Sequence, residues 1–546
     1  YDQTCATEKR RRRKRGKLAD PARRVVINDL VCEGCGDCGV ASNCLSVEPV
    51  DTEFGRKRRI NQNTCNKDFS CVKGFCPSFV TVEGGELKKP AKTARGDLGA
   101  LPAPPEPTLP AADRAWGIVV AGVGGTGVIT IGQLLGMAAH LEGKGIVTQD
   151  AGGLAQKGGA TWSHVQIAER PQDIHTTKVD TAHADLVIAC DAIVAASKAT
   201  QQVMQPGRTY VAMNVHGTPT AAMLANPDWR FPAGSCESAV AGAVGQELLG
   251  HFDAEQVATE LLGDSIYTNP LMLGYAWQRG RIPLGHASLM RAIELNGVQV
   301  ERNRAAFEWG RLCAHDLPAV QALFAARQVI QLVRKPSVDE LIARRAEFLT
   351  AYQDADYAAQ YRQLAQRVRD AEAQFGKGTG LAEAVAKGLF KLMAYKDEYE
   401  VARLHADPAF ADRIAGMFEG DYKLVHHLAP PLIARRNDKG EGVKQAFGPW
   451  VRWAFRWLAP MKRLRGTALD PFGRTQERRE ERALIAEYRD CIEELLKGLS
   501  ADRLGLAAEI ARIPDDIRGY GHVKARPLAA ARPKWAALVQ RWRSAA

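Results

Sequence analysis

At 546 residues, 46% of them hydrophobic, the chain is long enough for roughly three or four domains of ~150 residues, each with a sizeable core. No run of about 18 apolar residues is free of charge, which excludes a bilayer-spanning helix, and the basic opening lacks the apolar core of a signal peptide. The net charge is +11, and seven of the twelve cysteines fall between Cys32 and Cys76. Clustered cysteines without a secretion signal favour metal over disulfides, and a reducing, cytoplasmic compartment.

Residues 1–23 are basic and polar, with the run KRRRRKR from Lys9 to Arg15. The run reads as a solvated arm or a loop packed on acidic neighbours, and next as a docking surface for an acidic protein. Nucleic acid is disfavoured, because neither interleaved aromatics nor a helix-turn-helix or zinc-finger spacing accompanies it. The chain opens on Tyr1 and is expected to be one part of a longer protein.

Residues 24–85 form a cysteine-rich unit. Its first half reads Cys32-x2-Cys35-x2-Cys38-x5-Cys44, and INDLVC (Ile27–Cys32) recurs as INQNTC (Ile60–Cys65), an offset of 33. At that offset Cys35 falls on Asp68, Cys38 on Cys71, and Cys44 one residue past Cys76. SVEP (46–49) likewise resembles TVEG (81–84). A doubled strand, cysteine loop, helix and strand resembles the bacterial two-cluster ferredoxin domain. In such domains the fourth cysteine of each motif ligates the other cluster. The resemblance therefore implies cluster A on Cys32, Cys35, Cys38 and Cys76. Cluster B takes Cys65, Cys71 and Cys44, with Asp68 at the fourth corner. Zinc is the competing metal, but it usually takes its ligands in pairs. Cluster B is open between an Asp-ligated [4Fe-4S], a [3Fe-4S] and no cluster at all, since a carboxylate is a harder ligand than a thiolate.

Residues 86–114, with LPAPPEPTLP, read as an extended linker. From 115 to 335 strands alternate with helices, implying a doubly wound, parallel α/β sheet. GVGGTG (Gly122, Gly124, Gly125, Thr126 and Gly127) follows a strand and opens a helix. That spacing suits backbone N–H groups approaching a phosphate, and Asp150 lies where a nicotinamide fingerprint places its ribose-binding acid. A second glycine cluster, DAGGLAQKGGATWSHVQIA, sets Gln156 and Lys157 beside Gly158 and Gly159. It suits either an anionic ligand or a close domain contact. Residues 336–546 read as a helical domain, opened by the capping box Ser337–Glu340. In PWVRWAFRWLAP (449–460), Trp450, Ala454, Trp457 and Leu458 share a face, which reads as core.

GVGGTGVITIGQLLGMAAHLEGKG followed by DAGGLAQKGGATWSHVQIA resembles the gamma domain of 2-oxoacid:ferredoxin oxidoreductases. Thr126 stands where that family has Gln, and Lys157 where it has Arg. With the cysteine segment before it and an Arg-rich helical tail after it, the whole resembles the C-terminal half of long, fused bacterial indolepyruvate ferredoxin oxidoreductases. The resemblance implies a thiamine diphosphate and Mg site in an upstream part, and oxidative decarboxylation of an indolepyruvate-like 2-oxoacid to an acyl-coenzyme A. It implies single electrons leaving through [4Fe-4S] clusters to ferredoxin. Tyr1–Gly16 would end the thiamine domain, with Cys5 either an unligated thiol or the last ligand of a further [4Fe-4S] cluster. A homodimer is expected, and neither nucleic acid nor membrane as partner. Two alternatives stand: a ferredoxin-fused NAD(P)-dependent oxidoreductase, and an electron-transfer and docking subunit with no active site of its own.

Overall fold

The computed structural model describes residues 6–88, 98–152, 159–325, 336–376, 380–431, 434–438 and 442–544. Two compact units form. One gathers residues 1–18, 89–223 and 229–330; the other gathers 19–88, 224–228 and 331–546.

The basic run forms helix α1 (Ala6–Lys14), with Arg12 paired to Glu8 at 3.1 Å. The cysteine-rich segment then gives β1 (Arg23–Ile27), α2 (Asp37–Ser42), β2 (Val47–Thr52), β3 (Gly55–Ile60), β4 (Phe79–Glu83) and β5 (Glu86–Leu87). β1 pairs antiparallel with β4, setting Val26 opposite Val80, and β2 pairs with β3, setting Val47 opposite Ile60. The first strand of each half thus pairs with the closing strand of the other, as the internal repeat requires.

The α/β unit contains β6 (Trp116–Val123), α3 (Val128–Leu141), β7 (Gly145–Gly152), β8 (Ala160–Ala168), β9 (Leu186–Ala189), β10 (Tyr210–Asn214) and β11 (Leu249–Phe252), in the sheet order β11-β10-β9-β6-β8-β7. The sheet is covered on both faces. Ile118, Val120, Leu186 and Ile188 point into one core, and Val119, Val187 and Ala189 into the other. It is mixed rather than wholly parallel: β8 runs antiparallel to both β6 and β7. The expectation of a parallel sheet fails there because only seven residues lie between β7 and β8, fewer than the dozen or so that a parallel crossover needs. On one face the helices Thr268–Gln278 and Val300–His315 cross through glycines. A Cβ on Gly274 would sit 1.9 Å from the Phe307 carbonyl, and one on Gly310 equally close to that of Leu271. The described part of the Pro-rich segment packs on this unit: Arg311 holds Glu106 at 3.0 Å.

The C-terminal segment returns to the cysteine-rich segment. β12 (Phe418–Glu419) pairs with β5, β13 (Lys423–Leu428) takes the free edge of β4, and β14 (Gln445–Phe447) pairs with β13. Residues 336–546 are therefore not wholly helical, and 24–85 and 336–546, drawn apart from sequence, share one unit. The physical reason lies in β4, whose Val80 and Val82 are fully buried: a strand so enclosed needs both edges paired. Helices Glu398–Ala406, Pro408–Met417 and Val451–Leu458 pack on this sheet, while Val338–Tyr352, Ala355–Ala373, Leu381–Met393 and Gln476–Lys497 contribute to a separate helical core. The capping box at Ser337 forms as expected, with both reciprocal hydrogen bonds to Glu340 present.

Candidate functional site

The two cysteine loops carry the same backbone twice. In the first, Gly34 and Gly36 are left-handed, at φ 69° and 83°. This turns the Gly34 N–H onto Cys32 Sγ at 3.3 Å, and Cys38 follows on α2. Glycine is also required for space at residue 34, because a Cβ there would stand 2.1 Å from the Arg56 carbonyl oxygen. In the second loop the residues 33 positions on, Lys67 and Phe69, are left-handed too, at φ 52° and 61°. The Lys67 N–H points to Cys65 Sγ at 3.4 Å. For side-chain-bearing residues this conformation costs about 1–2 kcal/mol each. Local contacts offset the cost: buried Lys67 pairs with Asp20 at 2.6 Å, and the Arg23 guanidinium lies 4.6 Å over the Phe69 ring.

Asp68 takes the place of a thiolate in this scheme. Cys35 accepts the backbone N–H of Asp37. Asp68 Oδ1 accepts the N–H of Ser70, two residues on likewise, at 3.0 Å, together with the Ser70 hydroxyl at 2.7 Å. The carboxylate oxygen thus answers the same donor in the second loop as the sulfur does in the first. Asp68 is exposed, whereas Cys35 is half-buried.

Electrostatics divide the thiols into two sets. Cys35 feels Cys76 and Cys32; Cys38 feels Cys32, Cys76 and Cys35. Cys65 feels Cys44 and Asp68; Cys71 feels Cys65, Cys44 and Asp68. Cys76 thus falls with the thiols of the first loop, and Cys44 with those of the second. All seven cysteines are free thiols. Burial first, and the neighbouring thiolates second, push Cys35 and Cys71 up to about 12 and Cys76 to about 11. Buried thiols massed in this way ionise readily only when a cation shares the site. The donor sets fit iron–sulfur chemistry in number, type and grouping. Among the described residues, no three His, Cys, Asp or Glu side chains converge on a single-ion site.

The C-terminal segment walls these loops, which sequence reasoning missed. Lys396 Nζ donates to the Val31 and Cys32 carbonyls, each at 3.2 Å, and pairs with Glu33 at 2.5 Å. Burial alone would raise the Glu33 carboxyl, but Lys396 and Lys57 hold it down to about 2. Tyr520 donates to the Val31 carbonyl at 2.5 Å, and Lys444 to the Cys76 carbonyl at 3.2 Å. Burial lowers the Lys444 pKa against the opposing pull of Cys76, Cys38 and Cys71, which come from both sets. His405 Nε2–H donates to the Pro77 carbonyl at 2.9 Å, and Asn28 Nδ2–H faces the other ring nitrogen at 3.3 Å. No local motif marks these residues, because their role depends on a fold spanning more than 300 positions.

In the α/β unit, Gly122 is the penultimate residue of β6 and Gly127 (φ 105°) caps α3, with Gly125 and Thr126 exposed between them. A Cβ on Gly122 would meet Val128 at 2.9 Å, and one on Gly124 would meet Thr161 Oγ1 at 3.0 Å. These two glycines are therefore explained by strand–helix and strand–loop packing. The Gly124 N–H donates to the Gly159 carbonyl at 2.8 Å, joining the two glycine clusters. The Thr126 hydroxyl turns back to the Val123 carbonyl at 2.7 Å. Cys5, Gln156, Lys157 and Gly158 lie outside the described residues. Asp150 is on β7, which β8 separates from β6. Two strand spacings, about 9–10 Å, thus part it from the strand that leads into the glycine turn. Sequence reasoning also passed over the ends of β9 to β11, where buried Asp191 caps a helix and His216 lies 3.1 Å from Asp253.

Residues 117–313 match the family described as "Pyruvate ferredoxin/flavodoxin oxidoreductase", and residues 338–537 a family of unknown function, DUF6537. The cysteine loops lie outside both matches. Relatives of the α/β domain bear the name indolepyruvate oxidoreductase subunit IorB. The one from Methanothermobacter thermautotrophicus is 28% identical over 184 residues, covering 33% of this chain and 87% of its own. The one from Thermococcus kodakarensis is 24% identical, covering 37% and 98%. Among solved structures, pyruvate oxidoreductase subunit PORC from Thermotoga maritima aligns with TM-score 0.27 and 18% identity, over 36% of this chain and 96% of its own. The keto/oxoacid ferredoxin oxidoreductase gamma subunit from Geobacter sulfurreducens aligns with TM-score 0.26 and 21% identity, over 37% and 98%. The sequence matches bear out the resemblance of the α/β domain to this oxidoreductase family.

Proposed function

For a chain whose residues 117–313 are a pyruvate ferredoxin/flavodoxin oxidoreductase domain, we propose that it is the electron-exit part of a thiamine-dependent 2-oxoacid:ferredoxin oxidoreductase with indolepyruvate-like substrates. Decarboxylation and acyl transfer to coenzyme A belong to the assembled enzyme, whose thiamine-binding part lies outside this sequence. The observation that carries the reading is the division of seven thiols and Asp68 into two four-donor sets on repeated backbone.

Cys32, Cys35, Cys38 and Cys76 hold one iron–sulfur cluster; Cys44, Cys65, Cys71 and Asp68 hold the second. Bound clusters of this kind supply one-electron transfer. The chain's residues do the rest. The Gly34 and Lys67 N–H groups stabilise negative sulfur. Lys396, Lys444 and Tyr520 fix the carbonyls of Val31, Cys32 and Cys76, so the first set of ligands keeps its geometry through a change of charge. Asp68 closes the second set, because its oxygen already takes the donor that Cys35 takes in the first.

Oxygen-free purification with iron and sulfide analysis tests this. About eight irons per chain support both sites; zinc in place of iron overturns the reading.

A further inference from the structure

The sequence places Trp450 and Trp457 in a core. The structure does the opposite. Helix Val451–Leu458 turns Val451 and Phe455 inward, at 5% and 4% exposure, and leaves Trp450, Trp453 and Trp457 62%, 66% and 65% exposed. These positions, spaced i, i+3 and i+7, form one face, and the rings of Trp453 and Trp457 lie 5.7 Å apart. Three indoles so exposed present on the order of 400 Å² of apolar surface. That is about half of one partner's share in a standard interface, and it suits a transient redox encounter better than a permanent dimer.

The face is cationic. Pro449–Leu469 contains Arg452, Arg456, Lys462, Arg463 and Arg465, and no Asp or Glu. Arg465 is committed to buried Asp397 at 2.5 Å. Among the described residues no carboxylate pairs with Arg452, Arg456 or Arg463. Trp457, Arg456, Arg463, Pro460 and Met461 also line a shallow depression.

The inward side of the same helix reaches the cysteines. Val451 and Phe455 share a core with Cys32, Cys38, Cys71 and Cys76. Phe455 stacks on His405 at 5.4 Å and 12°, and His405 donates to the carbonyl of Pro77, the residue after Cys76. One helix thus packs the cysteine core on one side and offers tryptophan and arginine to solvent on the other.

We propose that the Trp450–Trp453–Trp457 face is the docking surface for an acidic electron-carrier protein. This gives the segment 338–537 a role, and it rests on the electron-exit reading above. In the encounter one electron passes from this chain to the carrier: the chain is oxidised, the carrier is reduced, and no bond forms or breaks. Tryptophan supplies apolar contact, and arginine steers the acidic partner.

The test uses the whole chain with its clusters, and a purified bacterial two-cluster ferredoxin with an acidic surface as probe. Calorimetry measures binding at low and high salt; stopped-flow mixing of the reduced chain with oxidised ferredoxin measures transfer. The variants are Trp453→Ala/Trp457→Ala and Arg452→Glu/Arg456→Glu, all at exposed positions. The expected result is binding weakened about 30-fold or more in each, the size of a hot-spot loss, with loss of salt dependence in the arginine variant. Iron content, EPR spectrum and electron transfer to a small neutral acceptor stay as in the parent. Binding and transfer unchanged in both variants would overturn the proposal. So would variants whose only defect is dimerisation, which would make the face a contact between copies. Variants that lose only adhesion to anionic-lipid vesicles would assign the face to a membrane surface instead. A parent chain without iron would overturn the electron-exit reading itself, and the docking proposal with it; an iron-replete parent with indifferent variants would overturn the docking alone.

Discussion

The two cysteine loops share a backbone and differ in what holds it. The first uses glycine at both left-handed positions and is roofed by the β2–β3 hairpin, through the Arg56 carbonyl, and by side chains from the C-terminal segment. The second places Lys67 and Phe69 in the same conformation and holds them with an ion pair and a cation–ring contact. Its middle donor is an exposed aspartate in place of a half-buried cysteine. A strained geometry kept with unsuitable residues indicates that the geometry itself is needed. The comparison supports the proposal that the second loop is still a ligand loop, with one donor exchanged.

The largest effect that tests this symmetry is ligand removal. Cys38→Ala and Cys71→Ala should each lower iron from about eight to about four per chain, and should abolish different EPR signals. Equal loss of both signals in either variant would show that the two sets are not independent. Next, Asp68→Ala should remove about one iron and give an oxidised three-iron signal, while Asp68→Cys should restore the full count.

Stability separates the loops further. Gly34→Ala forces a Cβ to 2.1 Å from a backbone oxygen at φ 69°, and should cost about 3 kcal/mol in denaturant unfolding. Lys67→Gly relieves the left-handed strain but loses the Asp20 pair, so its net change should stay within about 1 kcal/mol of zero.

Acid should weaken the brace beside Cys76. Burial pushes His405 down to about 4, so in the folded chain it stays neutral where an unfolded histidine is protonated. The unfolded state therefore binds more protons between about pH 6.5 and 4, and stability falls as pH drops through that window. His405 should contribute about 3 kcal/mol of that loss, and His405→Gln should make the profile less steep without flattening it, because burial pushes His426 and His427 down as well. Equilibrium unfolding at several pH values checks it.

Much of the site was legible in sequence, because Cys-x2-Cys-x2-Cys and an internal repeat are local patterns. The strand–glycine turn–helix at Gly122–Val128 was legible for the same reason. Other features were not. β13 reads KLVHHL, whose lysine and paired histidines break both an apolar run and a clean alternation, and its pairing with β4 makes it a strand. Lys396, Lys444, His405 and Tyr520 reach the cysteine loops through tertiary folding alone. The tryptophans misled for a sharper reason: apolar spacing identifies a face without saying which way it points, and Val451 and Phe455 won the interior.

The most direct test of the central claim, that Asp68 completes a second cluster, is EPR and iron analysis of the reduced, oxygen-free chain beside its Asp68→Cys variant. The account predicts about eight irons in both and a change confined to one of two cluster signals. About four irons in the parent, with a spectrum that Asp68→Cys leaves untouched, would contradict it.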